Sequence, residues 1–514
     1  MNARLLVLAV ASVSFLLSST EAGGRRPPPP TPLPELSDES SGQPQAPAKP
    51  LMLWYDRPGS NYHTDLPFGN GRIGGMVNGG VSIERIWLNE DSVWAGGPGE
   101  LKEVDDEITE EVAKGIAEAR KLMFQDKVAD GQNKLFSSLR GGGGGGVGCS
   151  QVLGMLDLHF AEKSLVNNYR RDLDLDEAIV RVQYLKDGIL FKREVFASRP
   201  DQVIVSRLEA DKPGNTSFTA KLGRGQGAET KAEEEDSLVM LGSIGMKFIA
   251  RVKVIPDGGE VSAKGNDLVV HGADAATILI SLATDYLPKP PTFRGNAYED
   301  ISARQIEAAS EKTYSRLKTV HIEAHRKQFR RMTIDLGRST ATKRSQATDV
   351  RVANFSRDED PELQALLFQY GRYLLISCSQ PGSQPANLQG LWIGNFKPMW
   401  NGDYHLDVNI QMAYWLAGPC TIAECMLPVA DLVEWTIPCA PMHRSSTCGR
   451  IMICSGRKAR VSDATNSAGG RPPGPKPGKN MVRMQPLKMR SRLTGRCTGR
   501  NRAAMLISRL VCFT

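Results

Sequence analysis

The sequence predicts a β-then-α protein, in which a large antiparallel β-sandwich leads through linker helices into an all-helical domain. Two observations carry this. Residues 51–291 hold many short β-branched runs closed by Gly, Pro, Asp or Asn, and few helical stretches interrupt them. From Ile301 onward the runs lengthen and take a helical spacing.

The clearest strands are QVIVSRLEA (202–210), KFIARVKVI (247–255), DLVVHG (267–272) and TILISLATD (277–285). In 179–196, Leu-Lys-Asp-Gly-Ile (185–189) is a turn between two apolar arms, so this stretch predicts a hairpin. Residues 103–139 are the exception. There Ile116, Ala119, Leu122 and Met123 are spaced for helix inserted between strands. The run Gly141–Gly146 is too flexible for the interior of an element and reads as a surface loop, and not as a phosphate cradle, since no Lys-Ser/Thr pair follows it.

Residues 301–332 are long, charged and spaced for one or two amphipathic helices, and a polar gap follows at Gly337–Val350. Pro361 then stands at the first turn of a helix whose Leu363, Leu366, Leu367, Tyr370, Tyr373 and Leu374 predict a wide apolar stripe. A further helix is expected over Asp407–Ala417.

The two ends differ from this middle. Arg4, the apolar run 5–17 and the small residue Ala22 read as a signal peptide over 1–22, with an uncleaved anchor as the alternative. Residues 23–50 are Pro-, Ser- and Gly-rich and cannot bury enough surface to offset their ordering entropy, so a disordered spacer is expected. No later segment is long and apolar enough to cross a bilayer, so no membrane span remains after signal cleavage and a secreted chain is expected.

The net charge of +7 hides a split. Residues 437–514 carry 16 Lys and Arg against Asp463 alone, while the rest holds 48 basic and 56 acidic residues. A tail this basic suits an anionic partner, yet it has no interleaved aromatics, no repeat and no helical period, so no nucleic-acid partner is expected. It also holds five of the nine cysteines without metal-ligand spacing. The abrupt change reads as an out-of-frame or mis-spliced end, with a genuine basic tail as the alternative. Cys420 and Cys425 fit either a pair in an oxidising compartment or packed free thiols.

The chemistry concentrates in one stretch. Sugar sites combine aromatic platforms with Asn, Asp, His and Arg, because sugars present hydroxyl edges and apolar C–H faces. The loop Asn387–Asp403 holds Trp392, Phe396, Trp400 and Asn401, and Tyr404 and His405 follow directly. His405, Asp407 and Asn409 alternate with Leu406 and Val408, which in an extended chain puts the three polar side chains on one side. The plainer reading makes Asp407 and Asn409 helix caps and His405 a satisfied core residue. The acidic residues Glu84, Glu90 and Asp91 near Trp87 and Trp94 suit either packing between domains or the rim of a cleft. Asn215-Thr-Ser and Asn354-Phe-Ser fit the glycosylation sequon.

Five ordered blocks carry a family resemblance: LWYDRPGSNYHTDLPFGNGRIGGMVNGGVSIERIWLNEDSVWAGGP (53–98), RRDLDLDEAIVRVQY, REVFASRPDQVIV, LFQYGRYLLISCSQPGSQPANLQGLW and YHLDVNIQMAYWLAGPC. Together they resemble glycoside hydrolase family 95, the α-L-fucosidases, from about Leu51 to Glu434. The resemblance implies an N-terminal β super-sandwich (51–295), linker helices (296–350) and the start of an (α/α)6 catalytic barrel (351–435), followed here by the basic tail (436–514). It also implies metal-free, cofactor-free, inverting hydrolysis of terminal α-L-fucosyl linkages, particularly α-1,2, on a fucosylated oligosaccharide. In the family two Asn side chains, polarised by an Asp, hold the water, and a Glu is the acid. The pair matches Asp407 and Asn409, and His405 matches a sugar contact, with Trp392, Trp400 and Tyr404 as further substrate-binding candidates.

Two departures matter. Asp407 replaces the first Asn, supplying a carboxylate where the family has an amide or signalling a shifted sugar preference. Nothing after Glu434 matches the family's acid or supporting Asp, so a chain truncated within its barrel is expected. A non-catalytic carbohydrate-binding protein and a non-functional fragment are the rival readings.

Overall fold

The computed structural model describes residues 40–41, 44–96, 106–141, 148–160, 165–289, 292–355 and 359–436. The expected signal peptide, most of the spacer, nearly all of the glycine run and the basic tail lie outside these. The end of the spacer is an exception to the disorder expected of it. Ser40–Ser41 pairs in parallel with Val166–Asn167, and Lys49 reaches Asp174 at 2.6 Å and Glu177 at 2.7 Å. Those carboxylates give the segment an anchor that its composition does not reveal.

The first half is two antiparallel sheets face to face. The larger runs, in spatial order, Val166–Asp174, Ile179–Lys186, Ile189–Ser198, Val203–Ala210, Ala275–Thr284, Lys247–Asp257, Ser237–Ser243 and Ala228–Glu234. The smaller runs Glu260–Lys264, Asp267–Ala273, Thr216–Gly223, Gly154–His159, Ile83–Glu90, Ile73–Val77 and Leu66–Gly69. Strand Gly154–His159 alternates buried and half-buried residues, as the pleat requires of a strand with one face in the core. Leu156, Leu158, Phe218 and Phe248 belong to that core. The expected hairpin forms with Val180 opposite Val195, and Asp187 (φ 52°) and Gly188 (φ 71°) make the left-handed two-residue turn that matches strand twist.

Between the short strands Trp94–Ala95 and Cys149–Ser150, which pair as a separate ribbon, the chain forms α1 (Asp106–Met123) and α2 (Val128–Gly141). Gly115 lets the pair close, because a Cβ there would fall 2.0 Å from the Ser138 hydroxyl.

Two linker helices follow, α3 (Tyr298–Ser310) and α4 (Tyr314–Phe329), the second capped by the Thr313 side chain. Ile306, Ala309 and Leu317 pack on Ile179, Phe196, Val203, Val205 and Leu279 of the larger sheet. Strand Ala275–Thr284 is therefore buried along its whole length, with core on one face and helix on the other. His321 and His325 enter this interface one helical turn apart. Their Nε2 atoms meet the carbonyls of Glu177 (3.0 Å) and Leu175 (2.8 Å), and their rings stack on Phe196 and Phe329. Burial pushes both imidazoles down to about 4.

The polar gap contains α5 (Ala341–Arg344) and α6 (Thr348–Ala353) rather than loop alone. Then comes α7 (Pro361–Cys378), with Pro in its first turn and the Asp360 carboxylate accepting the Leu363 amide at 3.2 Å. Its buried face departs from the expected stripe, since Leu367 is 47% exposed and Arg372 is buried. The burial of Arg372 has its reason in the second linker helix. Arg372 donates to the carbonyls of Phe329 (2.8 Å) and Gln328 (3.4 Å) at the C-terminal end of α4, where unpaired carbonyls favour a cation. Two further helices close the described chain, α8 (Asn409–Tyr414) and α9 (Leu427–Thr436). No helix among the described residues is long and apolar enough to cross a membrane. Cys149, Cys378, Cys420 and Cys425 are free and buried, so Cys420 and Cys425 are packed thiols and not a disulfide.

A candidate active-site loop held against the sandwich

Residues 379–408 connect α7 to α8 and are fastened to the sandwich along their length. The Gln384 amide donates to Asp91 at 2.5 Å, Trp392 donates its indole N–H to the Phe68 carbonyl at 3.0 Å, and Asn89 donates to the Ile393 carbonyl at 2.9 Å. Gln151 donates to the Phe396 carbonyl at 2.7 Å, and Ser150 to the Gly402 carbonyl at 2.8 Å. Arg224 lies across the rings of Phe248 and Phe396, and burial lowers its guanidinium to about 10. The loop is thus a shared element of both halves.

This fixes which aromatic residues face outward. Trp392 packs with Met76, Trp87 and Val152, so its ring belongs to the seam between the sandwich and the helices. Tyr404 points inward too. Burial pushes its hydroxyl well above the usual range, and the nearby Asp91 and Tyr286 push the same way. Asp91 is itself raised, by burial and then by the adjacent Glu90. Trp400 is the outward one, at 51% exposed.

The three acids singled out near Trp87 divide. Glu84 is internal to the sandwich, paired with buried Arg193 at 2.8 Å, and burial raises it to about 7. Glu90 pairs with Arg72 at 3.3 Å, and Asp91 reaches the helical half through Gln384.

The motif following the loop is not extended. Leu406–Val408 is a turn and α8 begins at Asn409, so the expected i, i+2, i+4 alternation of His405, Asp407 and Asn409 does not form. The cause is local hydrogen bonding. Gln411 donates Nε2 to the Leu406 carbonyl at 2.8 Å, and the Ile410 amide reaches the His405 carbonyl at 3.1 Å. Asp407 stands exposed at the tip, its Oδ1 accepting the Val408 amide at 3.0 Å. Asn409 is half-buried, and no side chain caps α8, so the plain capping role does not account for it. His405 is not a core residue. Its Nε2 lies 2.7 Å from Asp403 Oδ1, and both side chains keep partial access to solvent. The arrangement holds an orientable imidazole, a carboxylate and an amide around one turn, groups suited to binding hydroxyls or a water.

Sequence reasoning passed over Asp403, Gln411 and Ser150. Asp403 was open to discovery, two positions before His405 within the same motif. Ser150 was not, since its contact spans 252 residues. Among the described residues no three His, Cys, Asp or Glu side chains gather as a metal ion would need.

A sandwich is fastened to a helical half through a polar and aromatic loop, and each half matches a known glycoside hydrolase domain. Residues 53–289 match the family model "Glycosyl hydrolase family 65, N-terminal domain" and residues 313–462 match "Glycosyl hydrolase family 95 catalytic domain". The second match runs past residue 435, where the composition begins to change. The chain is similar to "Alpha-L-fucosidase 2" of Arabidopsis thaliana, with 34% identity over 75% of this chain and 49% of that protein. It is also similar to "Probable alpha-fucosidase A" of Aspergillus niger, with 32% identity over 73% and 49%, and of Aspergillus oryzae, with 28% identity over 74% and 55%. The comparisons place its helical half with glycoside hydrolase family 95, and the chain spans about half the length of these relatives.

Proposed function

We propose that this chain acts on terminal α-L-fucosyl linkages by the inverting route, its turn at Asp407 and Asn409 holding the attacking water and His405 holding the sugar. The observation that carries the reading is that turn. A carboxylate, an amide and an imidazole beside Asp403 lie within five residues of one turn, next to a loop that the sandwich holds in place. Inversion requires a base-held water on one face of the sugar and an acid on the other, roughly 6.5–9.5 Å apart. In this reading the turn at Asp407 and Asn409 supplies the water side.

The test is titration of the full chain with 2′-fucosyllactose, with proton NMR of any fucose released. Expected are saturable binding, weakened in Asn409→Ala, and β-fucose as the first anomer in whatever is released. Absence of binding, or α-fucose appearing first, would overturn the reading. Binding with no release at all would assign the chain to the carbohydrate-binding class instead.

The apolar run 5–17 behind Arg4 supports a secreted location. Secreted protein from a eukaryotic host should begin at Gly23, and a chain retained with Met1 would rule this out.

A further inference from the structure

We propose that Ser150, on the sandwich, is a positioning residue that holds Trp400 out of the fold as a platform for the apolar face of the sugar. The inference rests on the fucoside reading above and adds to it the residues that decide how the sugar is seated.

It starts from the backbone. Trp400 (φ 48°, ψ 38°), Asn401 (φ 60°, ψ 4°) and Gly402 (φ 54°) take left-handed conformations in succession. Glycine tolerates this region and asparagine visits it, but a bulky tryptophan is disfavoured there by its own Cβ. Burial of the indole does not offset that cost, because the side chain is half exposed. Something else must hold the turn, and strain of this kind persists only where the surroundings over-determine it.

The holding contact is at Gly402. Its carbonyl accepts the buried Ser150 hydroxyl at 2.8 Å, while Asn387 Nδ2 approaches the same hydroxyl at 3.5 Å from the other side. There is no room for slack. A Cβ on Gly402 would lie 3.1 Å from Ile393 and 3.3 Å from Pro398 and Ser150. Ser150 lies in the ribbon Trp94–Ala95/Cys149–Ser150, and the next two residues hold the upstream end of the same loop. Gln151 donates to Phe396, and the Val152 amide reaches the Asn395 carbonyl at 3.3 Å. The sandwich therefore holds 395–402 at both ends and leaves Trp400 displayed between them. An exposed indole on a backbone strained to expose it suits the C–H face and methyl group of a 6-deoxy sugar.

The test uses the full chain and the variants Ser150→Ala, Ser150→Thr, Trp400→Ala and Ser150→Ala/Trp400→Ala. Affinity for 2′-fucosyllactose should fall about tenfold in Ser150→Ala, the scale of one lost hydrogen bond, and at least as far in Trp400→Ala. Ser150→Thr should recover it. The double variant should bind no more weakly than Trp400→Ala alone, which a merely structural role for Ser150 would not produce. Unchanged affinity in Ser150→Ala, or additive losses, overturns the proposal. If the parent chain binds no fucoside, the functional reading falls and the positioning is read by fluorescence. Acrylamide quenching assigned to Trp400, by difference from Trp400→Phe, should then change in Ser150→Ala. Unchanged quenching overturns the positioning itself.

Discussion

Gln411 donates its Nε2 to the Leu406 carbonyl at 2.8 Å and so closes the turn that presents Asp407. This single bond replaces the extended strand that the alternation of His405, Asp407 and Asn409 suggests, and it makes the geometry of the candidate site depend on a residue inside α8. Gln411→Ala should therefore loosen Asp407 more than it harms the fold. A loss of about 1 kcal/mol in stability is expected, read by urea denaturation, together with a several-fold loss in fucoside affinity. Full affinity in this variant would remove Gln411 from the site.

Asp407 occupies the place where family resemblance expects an amide. Its carboxylate is exposed and bonds only locally, to the Val408 amide at 3.0 Å, a bond that an asparagine oxygen can also accept. Asp407→Asn should leave the melting temperature unchanged while altering the preference between L-fucosides and L-galactosides. Identical relative affinities for the two sugars would show that Asp407 does not set sugar choice.

His321 and His325 make stability depend on pH. Burial holds both neutral, with folded values of about 4 against 6.5 for a free imidazole. The unfolded chain therefore takes up protons first as pH falls. The stabilisation is fully present above about 6.5 and is lost progressively toward 4, each pH unit within that window costing roughly 1.4 kcal/mol per imidazole. Buried Asp65 and Asp172, raised to about 6, and Glu84, raised to about 7, act in the opposite sense and favour the fold as pH falls. The comparison that isolates the imidazole is His321→Phe, whose ring can keep the stack on Phe196. Its stability measured at pH 7 and pH 5 should fall less than that of the parent, and an equal fall would contradict the assignment.

Arg372 is the most consequential charge in the helical half. It is buried, and its guanidinium serves Phe329, Met332 and Gln369 as well as Gln328 and Cys420. Arg372→Met should cost about 3 kcal/mol or more, because several buried carbonyls lose their donor. Arg372→Lys should recover little, since an ammonium cannot reproduce the planar fork. Chemical denaturation of the three proteins checks both statements.

Much of the fold was legible along the chain because it depends on neighbours two to four residues away. Strand alternation, the Asp187-Gly188 turn and Pro361 opening α7 are of this kind. The candidate site was legible as a composition, a loop rich in Trp, Asn, Asp and His, and the family resemblance followed from the order of five motifs. Its orientation was not, for a definite reason. Trp392 and Trp400 lie eight residues apart in one loop and look alike in sequence, yet one donates to Phe68 in the seam and the other stands in solvent.

The sequence by itself determined the order of a β half and an α half, the positions of most elements, and the residue types gathered at the candidate site. Tertiary structure alone decided which of those side chains face outward. Arg372 took a buried place that the apolar stripe did not assign to it, because carbonyls at the end of α4 needed a cation. Trp400 kept its exposure because Ser150, 252 residues from the carbonyl it holds, fixes the turn beneath it. Hydrogen bonds across such separations leave no periodicity in the chain, so only the folded arrangement shows them.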